Sequence, residues 1–223
     1  MGFTLSKINL LILATALFTI IAFFAFSFKA TLTSDLAKQV SEKAMEQVSA
    51  LVNSQTLCGH VSIRFQRRLS LYDILNFYYV VELRKVEASD RSFFMVGIMN
   101  RDDYLRKGDD AALLASSRRD INAKIMLFSY DSETAELCPS ERFVLDVRAA
   151  PNPLDELVVV KEVYEGKIYL YAIPCSAEVK SLCEKNVQRV GCYLYKKRNK
   201  TSNCFDIDVS ECLSSPSPSC WGV

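Results

Sequence analysis

An uncharged, apolar segment of about 20 residues near the N-terminus constrains this chain more than any other feature. It runs from Ile8 to Phe28 and is bounded by Lys7 and Lys29. As an α-helix it would span about 30 Å, which is the thickness of the hydrocarbon core of a bilayer. We therefore expect residues 8–28 to form a transmembrane helix in contact with membrane lipid, after a short leader or cytoplasmic end at residues 1–7.

A cleaved secretory signal and a buried core helix are the alternative interpretations of this segment. The apolar part of a signal is about 7–15 residues long and is followed by small residues at a cleavage site. Here the run is longer, and it ends in the large residues of Phe24-Ala25-Phe26-Ser27-Phe28. A core helix rarely lacks charge over this length. Both comparisons favour a helix that stays in the membrane.

The helix can continue well beyond the membrane, because no glycine or proline lies between Phe3 and Cys58. Residues 29–57 have an apolar residue at every fourth position, which is typical of an amphipathic helix. This apolar stripe consists of Leu32, Leu36, Val40, Ala44 and Val48. We predict one continuous helix to about Thr56, with a transmembrane half and an amphipathic stem.

Residues 58–223 are dominated by the alternation and composition of β-strands. Strands are predicted at 61–66, 77–86, 93–99, 124–130, 143–147, 157–164 and 167–173. Glu165-Gly166 between the last two predicts a hairpin. One further strand is predicted where Phe205, Ile207 and Val209 alternate with aspartates, and a surface helix at 109–123. The predicted fold class is α+β: a long N-terminal helix followed by a β-rich, disulfide-bonded extracytoplasmic domain.

The cysteines predict a disulfide framework. Their number is even, no Cys-x-x-Cys pair occurs, and His60 is the only histidine, so a metal site is not expected. Disulfides imply an oxidising compartment, and the sequon at Asn199 is a glycosylation candidate consistent with it. Six cysteines lie in the Cys-rich part 175–223, where we expect local bridges, with Cys58 joined to Cys138 or to this cluster. The candidates are Cys58, Cys138, Cys175, Cys183, Cys192, Cys204, Cys212 and Cys220.

No feature of the sequence predicts catalysis, a cofactor or a nucleic-acid partner. The 27 basic and 26 acidic residues nearly balance, and the densest basic run, 196–200, has the composition of a solvated loop. Cys58 and His60 form the only Cys/His neighbourhood, but residues two apart seldom face each other and Cys58 is expected to be bridged. The aspartate pairs 102–103 and 109–110 do not match a calcium-loop spacing.

The N-terminus resembles that of type IV pilins and the related pseudopilins. The residues that carry the resemblance are Gly2, Phe3, Thr4 and Leu5, followed by the uninterrupted helix. The resemblance implies cleavage after Gly2, a mature chain that begins with Phe3, and self-association or packing with other pilin-like subunits through residues 3–52. The family's glutamate, fifth after the cut, corresponds to Lys7, which reverses the charge at that position.

The expected function is therefore that of a pilin-like subunit of a surface filament or of a secretion or assembly apparatus. The alternative is a single-pass, membrane-anchored extracytoplasmic binding module, or an enzyme whose site the sequence does not reveal. In both cases the cysteines indicate a cytoplasmic N-terminus and a C-terminal domain on the other side of the membrane. The positive-inside rule supports this orientation only weakly, because the charges on the two sides of the apolar segment differ little.

Overall fold

A single long helix and a β-rich domain make up the protein. The computed structural model describes residues 2–71, 75–88, 91–108, 112–131, 136–148 and 153–222. Helix α1 (Gly2–Asn53) has 52 residues without a break, so it is roughly 80 Å long. The absence of glycine and proline explains this continuity, as the sequence predicts.

The first sheet has five strands in the order β1-β10-β11-β7-β8. Only β11 and β7 run parallel, and the other neighbours are antiparallel. The predicted hairpin between β10 and β11 is confirmed, and its turn places Glu165 at φ 50° and Gly166 at φ 72°. The strands are β1 (Cys58–Arg64), β7 (Lys124–Tyr130), β8 (Leu137–Ser140), β10 (Glu156–Tyr164) and β11 (Lys167–Cys175).

The second sheet has four antiparallel strands in the order β6-β5-β4-β9. A small two-stranded ladder of β2 and β3 precedes it in the chain. The strands are β2 (Leu69–Leu71), β3 (Leu75–Phe77), β4 (Tyr79–Ala88), β5 (Arg91–Asn100), β6 (Leu113–Asp120) and β9 (Arg142–Asp146).

The main core lies between the C-terminal half of α1 and the inner faces of both sheets. Alternate residues of β4, such as Val81 and Leu83, point inward, and so do Leu157 and Val159 of β10. The stem contributes its own row of buried residues to this cluster: Ala37, Ala44, Met45, Val48 and Val52.

The opposite face of the five-stranded sheet is covered by α3 (Lys180–Arg198) and the C-terminal segment. Val190, Tyr193 and Leu194 of α3 pack there against sheet residues that include Tyr171 and Ile173. Short helical segments also occur at α2 (Arg101–Lys107), α4 (Val209–Ser214) and a 3-10 turn (Ser219–Trp221). The five-stranded sheet is therefore buried on both faces.

The predicted surface helix at 109–123 is wrong over residues 113–123. Residues 113–120 form β6, which pairs with β5 from Phe93 to Met99, while 109–111 lie outside the described residues. Ala115 of this strand packs against the core under α1, and the Arg118 guanidinium lies 3.9 Å from the centroid of the Phe93 ring. Pairing and packing with distant elements override the local helical spacing here.

The predicted strand at Phe205, Ile207 and Val209 is also wrong. Residues 205–208 form no strand, and α4 begins at Val209 with Asp208 as its N-cap. Gly191 of α3 explains the path, because a Cβ there would lie 2.3 Å from Ile207 Cγ2. The missing side chain lets this segment lie directly on α3 instead of joining a sheet.

The basic run 196–200 is not a loop throughout. Lys196, Lys197 and Arg198 form the last turn of α3, a helix that the sequence analysis does not predict, and Asn199 ends it in the left-handed conformation. Basic side chains at this position complement the negative end of a helix dipole. Arg198 is largely buried, with 12% of its side chain exposed.

Candidate functional site

Residues 8–28 of α1 form an exposed apolar surface. The helix over Lys7–Asn53 is long and apolar enough to cross a membrane, and none of its most apolar window is buried by the domain. Phe18, for example, is 78% exposed. Continuous exposed apolar surfaces of this size are uncommon in proteins that stay monomeric in water.

The second half of α1 is docked on the domain through small side chains. Ala37, Ser41 and Ala44 are almost completely buried, which brings the helix close to β6. The Ser41 and Ser117 hydroxyl oxygens lie 2.9 Å apart. The Ser34 hydroxyl donates to the carbonyl of Leu114 at 3.1 Å. The predicted stripe therefore packs on the domain, with Leu36 and Val40 at its half-buried edge.

The end of α1 is held by a buried lysine. Lys161 of β10 is 2% exposed, and its ammonium donates to the carbonyl of Val52 at 2.9 Å and to the carbonyl and hydroxyl of Ser54. Carbonyls at a helix C-terminus have no partners within the helix, and they carry its negative dipole end. Lys161 therefore supplies a hydrogen-bond donor to these carbonyls, and the same bonds offset the cost of burying its charge.

Two further links join the end of the stem to the domain. The backbone N–H of Val163 donates to the carbonyl of Leu57 at 2.8 Å, and Cys58 is disulfide-bonded to Cys204. Together with Lys161 they fix α1 to β10 and to the segment after α3. The orientation of the domain relative to the apolar half of the helix is thus set by the fold.

All eight cysteines are paired, which confirms the expected disulfide framework. Two bridges are local, Cys175–Cys183 and Cys192–Cys212. Cys58 is joined to the C-terminal cluster, one of the two partners expected for it. The expectation that all six C-terminal cysteines bridge locally is wrong, because Cys204 pairs with Cys58 and Cys220 with Cys138. The long bridges arise because the C-terminal segment crosses the sheet.

A buried polar cluster surrounds Glu162, next to Lys161 in β10. Its carboxylate accepts hydrogen bonds from Ser202 at 2.6 Å, Tyr171 at 2.7 Å and the Arg198 guanidinium at 2.8 Å. Burial alone would raise the pKa of Glu162, but these bonds outweigh it and hold the pKa below its ordinary value. The cluster ties the end of α3 to the hairpin of β10 and β11.

The residues predicted for processing and for glycosylation lie at different places in the fold, at the start of α1 and at the end of α3. Gly2 begins α1, and the side chain of Phe3 is outside the described residues. Asn199 is exposed. His60 lies two residues from the bridged Cys58. Among the described residues, no group of three His, Cys, Asp or Glu side chains is placed to hold a metal ion.

Asp102 and Asp103 lie in the first turn of α2, where Asp103 pairs with Lys107 at 3.2 Å. Asp109 and Asp110 are outside the described residues.

Sequence reasoning missed Lys161 and Glu162. Their only signal is that two adjacent charges interrupt the apolar strand Val158-Val159-Val160 and Val163. Two opposite charges in a buried strand indicate polar partners on each face, but they do not identify those partners. Comparisons with protein-family models, curated proteins and solved structures found no match for this chain.

Proposed function

We propose that this protein is a pilin-like subunit that packs through its N-terminal helix into a surface filament or into a secretion or assembly apparatus. In this proposal residues 8–28 lie in the membrane before assembly. The N-terminus is cytoplasmic and residues 58–223 form an extracytoplasmic domain. After assembly, the same apolar residues pack against the equivalent helices of neighbouring subunits.

The observation that carries the proposal is that one helix is both the exposed apolar segment and part of the domain core. Val48 and Val52 are buried in the domain, on the same unbroken helix as the exposed residues 8–28. An anchor that only retains a protein at a membrane needs no such rigidity. A subunit that must stack in a fixed orientation does need it, because its domain and its assembly helix must keep one geometry.

The four disulfides support the extracytoplasmic placement of the domain, since such bonds persist in oxidising compartments. With one apolar segment near the N-terminus, this placement requires a cytoplasmic N-terminus. Protease added to intact cells is expected to digest the domain. Complete protection of the domain, with α1 intact, would show the opposite orientation.

The N-terminus provides the sharpest test of assembly. Mass spectrometry of the mature protein is expected to find cleavage between Gly2 and Phe3, with a free or methylated amine on Phe3. The variant Gly2→Val should block this cleavage, retain the protein in the membrane and remove it from sheared surface filaments. Ser6→Ala is the matched control and should leave cleavage and assembly unchanged.

An uncleaved Met1-Gly2 terminus in wild-type protein, together with purified filaments that lack it, would contradict the assembly proposal. The alternative would then stand, a membrane-anchored extracytoplasmic module. Gly2→Val would have no effect in that case, because a signal anchor does not depend on the residue before Phe3.

A further inference from the structure

The outer edge of β1 is open for hydrogen bonding. β1 is the end strand of the five-stranded sheet and pairs with β10 on its other side. The Phe65 N–H donates to the Asp155 carbonyl at 2.8 Å, so in this antiparallel register the odd-numbered residues of the strand bond to β10. The backbone N–H and C=O groups of His60, Ser62 and Arg64 therefore point away from β10. Among the described residues, no segment pairs with these groups.

A pocket on the α3 side of the sheet borders the start of this edge. This α3-side pocket has a volume of about 470 Å³, and its apolar lining includes Val158 and Val187. Glu184 and Asp206 are the acidic residues that line it, and none of its described lining residues is a lysine or an arginine. Neither carboxylate forms an ion pair with a described residue. The pocket therefore suits an apolar side chain that carries a positive charge.

A second pocket borders the end of the same edge, on the side of the stem. This stem-side pocket has a volume of about 490 Å³, and residues 62–64 of β1 all line it. Its charged lining residues are Lys43 and Arg64, and none of those described is acidic. Arg64 lies 3.3 Å from Glu156, whereas Lys43 is exposed and forms no ion pair with a described residue. This pocket suits a negative charge.

Two buried polar atoms of the stem-side pocket have no hydrogen-bond partner among the described residues. They are the Tyr79 hydroxyl and the Gln47 Oε1 atom, and Tyr79 is completely buried. Buried polar groups are nearly always paired, so an unpaired donor and an unpaired acceptor at one pocket point to a ligand that offers both complements. A peptide offers both, because its carbonyl and carboxylate oxygens accept and its N–H groups donate.

We propose that the open edge of β1 binds an extended segment of another protein as an added antiparallel strand, with a basic side chain in the α3-side pocket and an acidic side chain in the stem-side pocket. Strand addition uses backbone hydrogen bonds for affinity and pockets for alternate side chains for specificity. The two pockets lie on opposite faces of the sheet, and successive side chains of an added strand point to opposite faces. The edge and the pockets therefore fit the same occupant.

A second copy of β1 does not suit this edge. The strand runs back along α1, because a Cβ on Gly59 would lie 2.9 Å from Leu51 Cδ1 while Ile63 shares the stem-side pocket with Val40. Antiparallel pairing of two copies would point their α1 helices in opposite directions, which the topology of the proposed function excludes. Parallel pairing in register would place Arg64 opposite Arg64, and like charges directly opposite each other are destabilising.

Binding can be measured by fluorescence anisotropy of a labelled peptide added to the full chain in detergent micelles. The probe is the capped peptide Glu-Thr-Val-Thr-Val-Lys-Val, in which the acidic and basic residues point to opposite faces of a strand. When its central threonine pairs with Ser62, N-methylation of that threonine removes a hydrogen bond of the ladder and should weaken binding about five- to tenfold. N-methylation of the next valine is the matched control and should change the affinity by less than about twofold, since that N–H points away from β1.

Variants of the protein test the same contacts from the other side. Ser62→Pro removes an N–H that makes no bond to β10, so the fold should be retained, and binding should weaken about five- to tenfold. Ser62→Ala is its control and should keep the affinity within about twofold, because the backbone N–H remains.

The charge assignment has its own pair of variants. E184Q/D206N should weaken binding about three- to tenfold, as expected for the loss of exposed charge contacts. D102N/E141Q removes the same charge from exposed residues outside both pockets, and it should have an effect below about twofold. Exchange of the glutamate and lysine in the peptide should also weaken binding to the wild-type protein.

No binding of the peptide, or equal affinities of the two N-methylated peptides, would overturn strand addition. Equal affinity for the charge-exchanged peptide would overturn the assignment of the pockets. Self-association of the wild-type chain that Ser62→Pro abolishes would replace the other protein by a second copy. Binding of the peptide requires neither cleavage after Gly2 nor filament assembly, so failure here leaves the proposed function to its own test.

Discussion

Lys161 shows how one buried charge can connect two distant parts of the chain. Replacing it by methionine keeps the apolar stem of the side chain but removes the donor for the Val52 and Ser54 carbonyls. We expect Lys161→Met to lower the free energy of unfolding by about 2–3 kcal/mol, because buried carbonyls lose their partner.

Denaturant unfolding of the full chain in micelles can be followed by fluorescence of Trp221, the only tryptophan. This residue is buried and donates to the carbonyl of Leu137 at 3.0 Å. Lys167→Met is the control, since Lys167 is exposed on the adjoining strand. A similar loss in both variants would contradict a specific role for Lys161.

Glu162 should make the stability of the domain dependent on acidic pH. Its folded-state pKa lies below its ordinary value, because the hydrogen bonds to Ser202, Tyr171 and Arg198 outweigh the effect of burial. Its contribution is therefore complete above the unfolded-state pKa of about 4.3, and it is lost as the pH falls through the lowered folded-state pKa.

Glu162→Gln should lower the unfolding free energy at pH 7 by about 1–3 kcal/mol, since hydrogen bonds to a charged group are lost or weakened. At pH values near or below the folded-state pKa, wild type and variant should converge. The same fluorescence measurement at both pH values checks this. If the difference in unfolding free energy between wild type and variant is the same at all pH values, the ionisation of Glu162 does not contribute to stability.

At the scale of the elements, the docking of the stem on the domain should depend on the buried face of the helix and not on its exposed face. Val48→Asp places an unpaired charge at a site with no exposed surface, and should cost at least about 3 kcal/mol. Ala50→Asp is the matched control on the exposed face of the same helix. If the aspartate variant does not fold, Val48→Ala still gives a measurable loss of about 2 kcal/mol. Equal effects at positions 48 and 50 would contradict the docking of the stem.

The elements that could be predicted from the sequence are those whose own residues determine them. The length of α1 follows from the lack of glycine and proline, and the β10–β11 hairpin follows from Glu165-Gly166 between two apolar runs. The strand β7, at Lys124–Tyr130, has the predicted bounds. Local composition is sufficient in these cases.

The elements that sequence reasoning missed depend on distant partners. The strand β6 has helical spacing but pairs with β5, and its Ser117 meets Ser41 of the stem. Helix α3 carries many charges, and its apolar face becomes evident only from its packing on the five-stranded sheet. The candidate site also depends on distant partners, since Lys161 donates to carbonyls that lie more than a hundred residues away in the sequence.

The whole molecule is organised around the point where the stem ends. Lys161, the Val163 backbone and the Cys58–Cys204 bridge all converge there, and Glu162 links the same strand to α3. The first and last quarters of the chain are thereby joined through the five-stranded sheet. A force applied to α1 in a membrane or in an assembly would pass directly to the core of the domain.

The Cys58–Cys204 bridge should therefore stabilise the protein more than the local bridges do. It spans 146 residues, compared with 8 for Cys175–Cys183. In the chain-entropy model these separations correspond to about 5 and about 2.5 kcal/mol. The double variant C58A/C204A should show the larger loss in unfolding free energy, and limited proteolysis near residues 53–57 should release α1 from the domain. C175A/C183A is the comparison and should leave that junction protected. If C58A/C204A is as stable as wild type and equally resistant to protease, the remaining contacts alone hold the stem to the domain.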